Sequence, residues 1–310
     1  RRTVVHPSAP FKARVEDVAA ADIIITTPEK WDATTRRWKD NAALIGQIAL
    51  VCIDEVHLLN EERGAVLEAV VSRMRTVSMS PMITARGWPA THMRIVAVSA
   101  TIPNLSDIGQ WIGAPPEQTY AFDDSYRPVA LTTHVLGFES KGSGFMFERF
   151  LSSRVFEVVA RYSSGRPTLV FCASRNGVKA TAEAVARDAS GSLARTPQQR
   201  IALADGSRRV ADVKLRECLL HGVGFHSAGE TAGDRGVVER LFVSGYLAVL
   251  CATTTLAMGV NLPAHLVIIK STQAWRGSAD GYAEYPRSTV LQMMVRSAMC
   301  SAPREPKRAT

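Results

Sequence analysis

A chain of 310 residues, 46% hydrophobic and 21% charged, excludes a disordered or low-complexity protein and is long enough for two ordinary cores. No apolar run approaches the roughly 20 residues that cross a bilayer, so a membrane partner is not expected. The formal net charge of +8 permits a polyanionic partner without requiring one.

The N-terminal stretch RRTVVHPSAP is basic and has neither the apolar middle nor the cleavage site of a secretory signal. It also lacks an initiating Met, as a piece cut from a longer chain would. Asp22–Thr26 (DIIIT), Ala49–Asp54 (ALVCID) and Arg94–Ser99 (RIVAVS) predict buried strands rich in β-branched residues. Between them Gly64–Met74 sets Leu67, Val70, Val71 and Met74 on one helical face. Turn formers at Asp123–Pro128 break the series. It restarts with strands expected at Thr168–Cys172, Val223–His226, Ala248–Cys251 and Leu266–Lys270, and helices at Asn176–Ala189 and Asp234–Val243. The polar stretch Gly191–Val210 shows no strong period and reads as a surface insertion. Strands alternating with helices predict an α/β fold with parallel sheets covered on both faces, in two domains. Five cysteines occur without a C-x-x-C pair. Cys52, Cys172 and Cys251 lie in strand-like runs, which predicts reduced thiols serving as small buried hydrophobes and no zinc site.

Six places in the chain could carry chemistry. Asp54-Glu55-Val56-His57 falls where an apolar strand ends, and two adjacent acids there suit a Mg²⁺ ion and an oriented water. The same acids equally suit a helix start. Ser99-Ala100-Thr101 ends the next strand, so its hydroxyls could bond the acid–His cluster, or simply cap a turn. Thr27-Pro28 predicts a helix N-cap and first position, whose free N–H groups suit a backbone phosphate or no ligand at all. Ala252–Pro263 (ATTTLAMGVNLP) gathers three Thr, Gly259 and Asn261 after a strand. Ser174-Arg175 follows another strand, and His226 ends a third. The G-x-x-x-x-G-K-[ST] phosphate loop, the G-x-S-x-G elbow, H-E-x-x-H and the Rossmann glycines do not occur in these 310 residues.

Taken in order, TTPEKWD, DEVH, SATIPN, LVFCASR, FHSAGE and ATTTLAMGVNLPA resemble the motif series of superfamily-two DExH helicases. The longer stretches TTPEKWDATTRRWKDN, DEVHLLNEERGAVLEAVVSRMRTV and LAMGVNLPAHLVIIKST are most similar to the HFM/MER-type meiotic crossover helicases, whose branch also contains RNA helicases. The resemblance implies two RecA-like parallel-sheet domains, both incomplete. Residues 1–125 would be the C-terminal part of the first, ATP-binding domain, and 126–310 the second. Asp54 would hold the Mg²⁺ that carries ATP, and Glu55 would activate the attacking water. His57, Ser99 and Thr101 would couple hydrolysis to domain closure. Gly259 and Asn261 would face the nucleotide. Thr27, Pro28, Ser174, Arg175, Thr253 and Thr255 would hold a DNA strand travelled 3′ to 5′ in the nucleus, with a strand-separating hairpin near Tyr282–Pro286.

The family's closing Q-M-x-G-R-A-G-R-P reads here Gln292-Met293-Met294-Val295-Arg296-Ser297-Ala298-Met299-Cys300. Arg296 keeps the first Arg, but Met299 stands at the second, a loss that can cost about 10³–10⁵ in rate. From about residue 295 the tail departs from the family, as a mis-spliced or frame-shifted gene model or a degenerate copy would. The family's phosphate loop is expected upstream of Arg1, so residues 1–310 by themselves are expected to hydrolyse no ATP at a useful rate. Two alternatives stay open: an RNA helicase of the same branch, and a catalytically inactive helicase-like module that binds nucleic acid or a protein.

Overall fold

The computed structural model describes residues 4–5, 21–60, 64–100, 102–127, 129–140, 142–254, 256, 262–275 and 281–295. The chain divides into two compact units, Arg1–Ala121 and Phe122–Thr310.

In the first unit β1 (Val4–Val5) pairs in parallel with β2 (Ile23–Ile24), and β3 (Leu50–Ile53) in parallel with β4 (Arg94–Ala97). Helix α1 (Pro28–Thr35) follows β2. Helix α2 (Gly64–Ser78) crosses from β3 to β4 and buries Leu67, Val70, Val71, Met74 and Val77, the stripe its 3.6-residue period dictates. Helix α3 (Leu105–Ile112) ends at Gly113, whose φ of 82° is the left-handed stop that glycine adopts freely.

One expectation fails here. Cys52 is exposed, because β3 alternates, with Val51 and Ile53 turned towards the helices while Leu50 and Cys52 face outward. Val96 and Val98 continue that open face from the neighbouring strand. A run of unbroken apolar residues suits a strand buried on both sides, yet among the described residues only one side of this sheet is covered.

Gly64 shows how tightly the crossover is tied to what precedes it. A Cβ there would lie 2.0 Å from the Leu59 carbonyl oxygen, so only glycine fits against the 3₁₀ turn Val56–Asn60 without displacing backbone. Gly64→Ala is expected to destabilise the first unit by about 1–2 kcal/mol and to lower the midpoint of its urea unfolding curve.

The second unit is built on a four-stranded, all-parallel sheet of order β6-β7-β5-β8, where β5 is Thr168–Phe171, β6 Val223–His226, β7 Val249–Ala252 and β8 Leu266–Ile269. Every residue of β5, β6 and β7 is buried, and the edge strand β8 is half-buried. Around the sheet lie α4 (Gly144–Tyr162), α5 (Arg175–Ala189), α6 (Pro197–Arg209), α7 (Val213–Leu220), α8 (Ala232–Val243) and α9 (Arg287–Val295). β9 (Gln273–Trp275) and β10 (Tyr282–Glu284) form an antiparallel pair.

The expected surface insertion at Gly191–Val210 is instead part of this core. Thr196 caps α6, Pro197 takes its first position, and Leu193, Ala194, Leu203 and Val210 are buried. The helix lies so close to α8 that a Cβ on Gly206 would meet Leu241 Cδ1 at 2.7 Å. Its inward face is made of small residues, Gly206 and Ser207 beside one leucine, which is why no apolar period marked it.

Candidate functional site

The parallel ladder between β3 and β4 runs on past both strand ends. Val98 N–H donates to the Ile53 carbonyl at 2.9 Å, and Val56 N–H returns to the Val98 carbonyl at 3.0 Å. The Asp54–His57 loop is thereby lashed to the Ser99–Ala100 loop. Within it Glu55 has φ 56°, a left-handed conformation costing a non-glycine residue about 1–3 kcal/mol. The cost is sustained by the Val56 bond and by Leu58 N–H on the Glu55 carbonyl at 2.9 Å.

The turn sends neighbouring side chains to different environments. Asp54 is exposed and the Glu55 side chain is 47% exposed, while the His57 side chain is only 4% exposed. Ala100 N–H donates to His57 Nδ1 at 3.3 Å, and Glu55 Oε2 lies 3.2 Å from the same nitrogen. These contacts make opposite demands, since the amide needs a lone pair on Nδ1 and the carboxylate needs a proton there. An amide cannot reverse its role, so the Ala100 bond requires Nδ1 to offer its lone pair.

Among the described residues the side-chain link between the two loops runs from His57 to the Ala100 backbone and not to the Ser99 hydroxyl. Ser99 Oγ is buried without a hydrogen-bond partner, and Thr101 lies outside the described residues. Sequence offered no sign of the Ala100 contact, because a backbone N–H is common to almost every residue.

The donor set suits a metal that arrives with its nucleotide. Among the described residues no three His, Cys, Asp or Glu side chains converge on a common point. A Mg²⁺ ion that brings phosphate oxygens needs only one or two carboxylates, and the exposed Asp54 could offer one from an open loop.

Thr27 and Pro28 open α1 as their residue types dictate, Lys30 N–H donating to Thr27 Oγ1 at 3.4 Å. The helix is pinned from behind. Arg73 on α2 reaches Asp32 Oδ1 at 2.8 Å and Thr35 Oγ1 at 2.9 Å, and Arg36 holds Asp32 Oδ2 at 2.6 Å. The helix whose first turn is the candidate phosphate contact is thus fixed to the helix that follows the acidic loop.

In the second unit Ser174 and Thr253 extend the neighbouring strands β5 and β7 at one end of the sheet, where ligands of α/β sheets collect. Ser174 caps α5, receiving Gly177 N–H on Oγ at 3.1 Å, and Arg175 is the exposed first residue of that helix. Leu256 tucks its side chain into the core. His226 ends β6 with Nε2 2.7 Å from Glu239 Oε1. Thr255, Gly259, Asn261 and Arg296 lie outside the described residues. Ser174→Ala removes the cap and is expected to cost the second unit about 1 kcal/mol, read as an earlier urea midpoint.

Residues 2–108 match the family model of the DEAD/DEAH box helicase. The chain is 44% identical over 89% of its length to the ATP-dependent DNA helicase MER3 homolog of Oryza sativa subsp. japonica. It is 46% identical over 91% to the probable ATP-dependent DNA helicase HFM1 of Xenopus tropicalis, and 37% identical over 91% to the ATP-dependent DNA helicase MER3 of Saccharomyces cerevisiae. Residues 2–108 carry a DEAD/DEAH box helicase domain. The chain spans between a fifth and a quarter of the length of those relatives, covering 23%, 21% and 22% of them respectively. The α/β architecture, with parallel sheets flanked by helices, is the one a RecA-like helicase domain uses.

Proposed function

We propose that this chain is the motor portion of an ATP-dependent DNA helicase that travels 3′ to 5′ on one strand and acts in the nucleus during meiotic recombination. Its first unit is the C-terminal part of the ATP-binding RecA-like domain, and its second unit is the following helicase domain. The observation that carries the reading is the DEVH loop held at the end of a parallel strand and joined to the next loop through Ala100 N–H and His57 Nδ1.

In this reading Asp54 holds the magnesium of bound ATP and Glu55 takes the proton of the attacking water. When bound, magnesium–ATP supplies the reacting phosphates and neutralises their charge. Because Glu55 and Ala100 meet at one ring nitrogen, a change at the carboxylate reaches the loop after β4 through a single side chain. Thr27, Pro28, Ser174, Arg175, Thr253 and Thr255 hold the strand by its phosphates, a set that positions without reading sequence. Gly259, Asn261 and Arg296 meet the nucleotide, and the β9–β10 hairpin parts the duplex.

The test is strand displacement by the full-length protein with ATP and Mg²⁺. Duplex DNA with a 3′ single-stranded tail should open, and the same duplex with a 5′ tail should not. Opening of RNA duplexes alone would move the protein to the RNA-acting part of its branch, and tight strand binding without hydrolysis would make it a binding module.

A further inference from the structure

A charged network lies inside the second unit. Lys270 follows β8, and its side chain is only 2% exposed. Its ammonium meets Glu148 Oε2 at 2.7 Å and donates to Ser152 Oγ at 3.1 Å and Thr181 Oγ1 at 3.2 Å. The Glu148 carbonyl oxygen lies 3.4 Å away. Three elements are thereby tied to one atom: the residue after β8 is the lysine, α4 supplies Glu148 and Ser152, and α5 supplies Thr181. A buried pair of this kind adds little net stability compared with apolar packing, but it fixes geometry when every donor is satisfied.

What it fixes is the first turn of α5. Thr181 Oγ1 donates to the Gly177 carbonyl at 2.6 Å, and Gly177 N–H is the group that Ser174 caps at 3.1 Å. A Cβ on Gly177 would lie 3.9 Å from the Lys270 ammonium, so the charge sits directly beneath that turn. Ser174 and Arg175 stand at its open end. A chain of four polar contacts therefore joins Glu148 to the candidate strand-binding residues through Lys270, Thr181 and Gly177.

We infer that Lys270 and Glu148 are positioning residues for nucleic-acid binding, setting where Ser174 and Arg175 meet the strand. The inference rests on the reading of those two residues as strand contacts. Misplacing a binding group by as little as 1 Å weakens its use far more than it weakens the fold.

The experiment uses the full-length protein, single-stranded DNA and ATP, and compares wild type with Lys270→Met/Glu148→Leu, which replaces the buried pair by apolar groups of similar bulk. The double variant should melt at the wild-type temperature, because such replacements preserve stability. Its DNA concentration for half-maximal ATPase should rise about tenfold, with kcat at saturating DNA within about twofold. Wild-type melting together with wild-type half-saturation would overturn the inference. Should the double variant not fold, Thr181→Val severs the same chain by removing one hydroxyl. It should raise half-saturation about threefold, and no rise would overturn the inference equally. If wild type itself neither binds DNA nor is stimulated by it, the functional reading fails first and this inference falls with it.

Discussion

In the full-length protein Glu55→Gln is expected to lower kcat for DNA-stimulated ATP hydrolysis by about 10²–10⁴-fold, the range for removing a positioned general base. The substitution keeps the size of the side chain and its ability to hold φ at 56°, so the loop should survive. It removes the negative charge that lies 3.2 Å from His57 Nδ1, while Ala100 N–H still donates to that same nitrogen. ATP affinity should change little, because Asp54 keeps its carboxylate. Single-turnover hydrolysis beside equilibrium nucleotide binding separates the two effects, and a variant that hydrolyses at the wild-type rate would remove Glu55 from catalysis. Strand displacement should fall in parallel with kcat, since duplex opening is driven by turnover.

Asp32→Ala is expected to destabilise the first unit by about 3 kcal/mol, at the lower end for breaking a buried ion pair. Asp32 is 6% exposed and accepts from both Arg36 and Arg73, so its removal strands a guanidinium that is 21% exposed and cannot fully rehydrate. The hydrogen bonds from Arg36, and then those from Arg73, hold the Asp32 carboxyl below the usual carboxylate range. The sign follows: this group contributes its full stabilisation above the unfolded value of about 3.9. That contribution fades as pH falls below 4 through the folded value. Urea unfolding of wild type and variant should therefore differ most near neutrality, and the gap should narrow in acid. A gap independent of pH would mean that the lost stability came from packing alone.

The sequence was most informative where chemistry and packing coincide. Val223–His226 is a strand to the residue, and α2 buries the four residues its period selected. Thr27-Pro28 began a helix because an N-cap and a proline are local instructions that need no tertiary context. The acidic loop was legible for the same reason, standing directly after an apolar run.

Other features depended on neighbours distant in the chain. Helix α6 was hidden because its packing face is glycine and serine, which cross close to Leu241. Its Thr196-Pro197 start was a signal of the same kind as Thr27-Pro28 and could have been used. Cys52 was read as buried because composition cannot say which faces of a strand are covered. Lys270 closes an apolar run with no local mark of its enclosure, which depends on Glu148, 122 residues earlier.

The left-handed backbone at Glu55 also limits which sequences can occupy that position. A library carrying every amino acid at residue 55, sorted for soluble yield instead of turnover, would separate by backbone preference. Glycine and asparagine, at ease with φ near +56°, would be enriched above the parent. Valine, isoleucine and threonine, whose branched Cβ crowds that conformation, would be depleted. The winners of such a sort would be sturdier and, on the proposed role of Glu55, inert, so strain at position 55 would be the cost of its carboxylate.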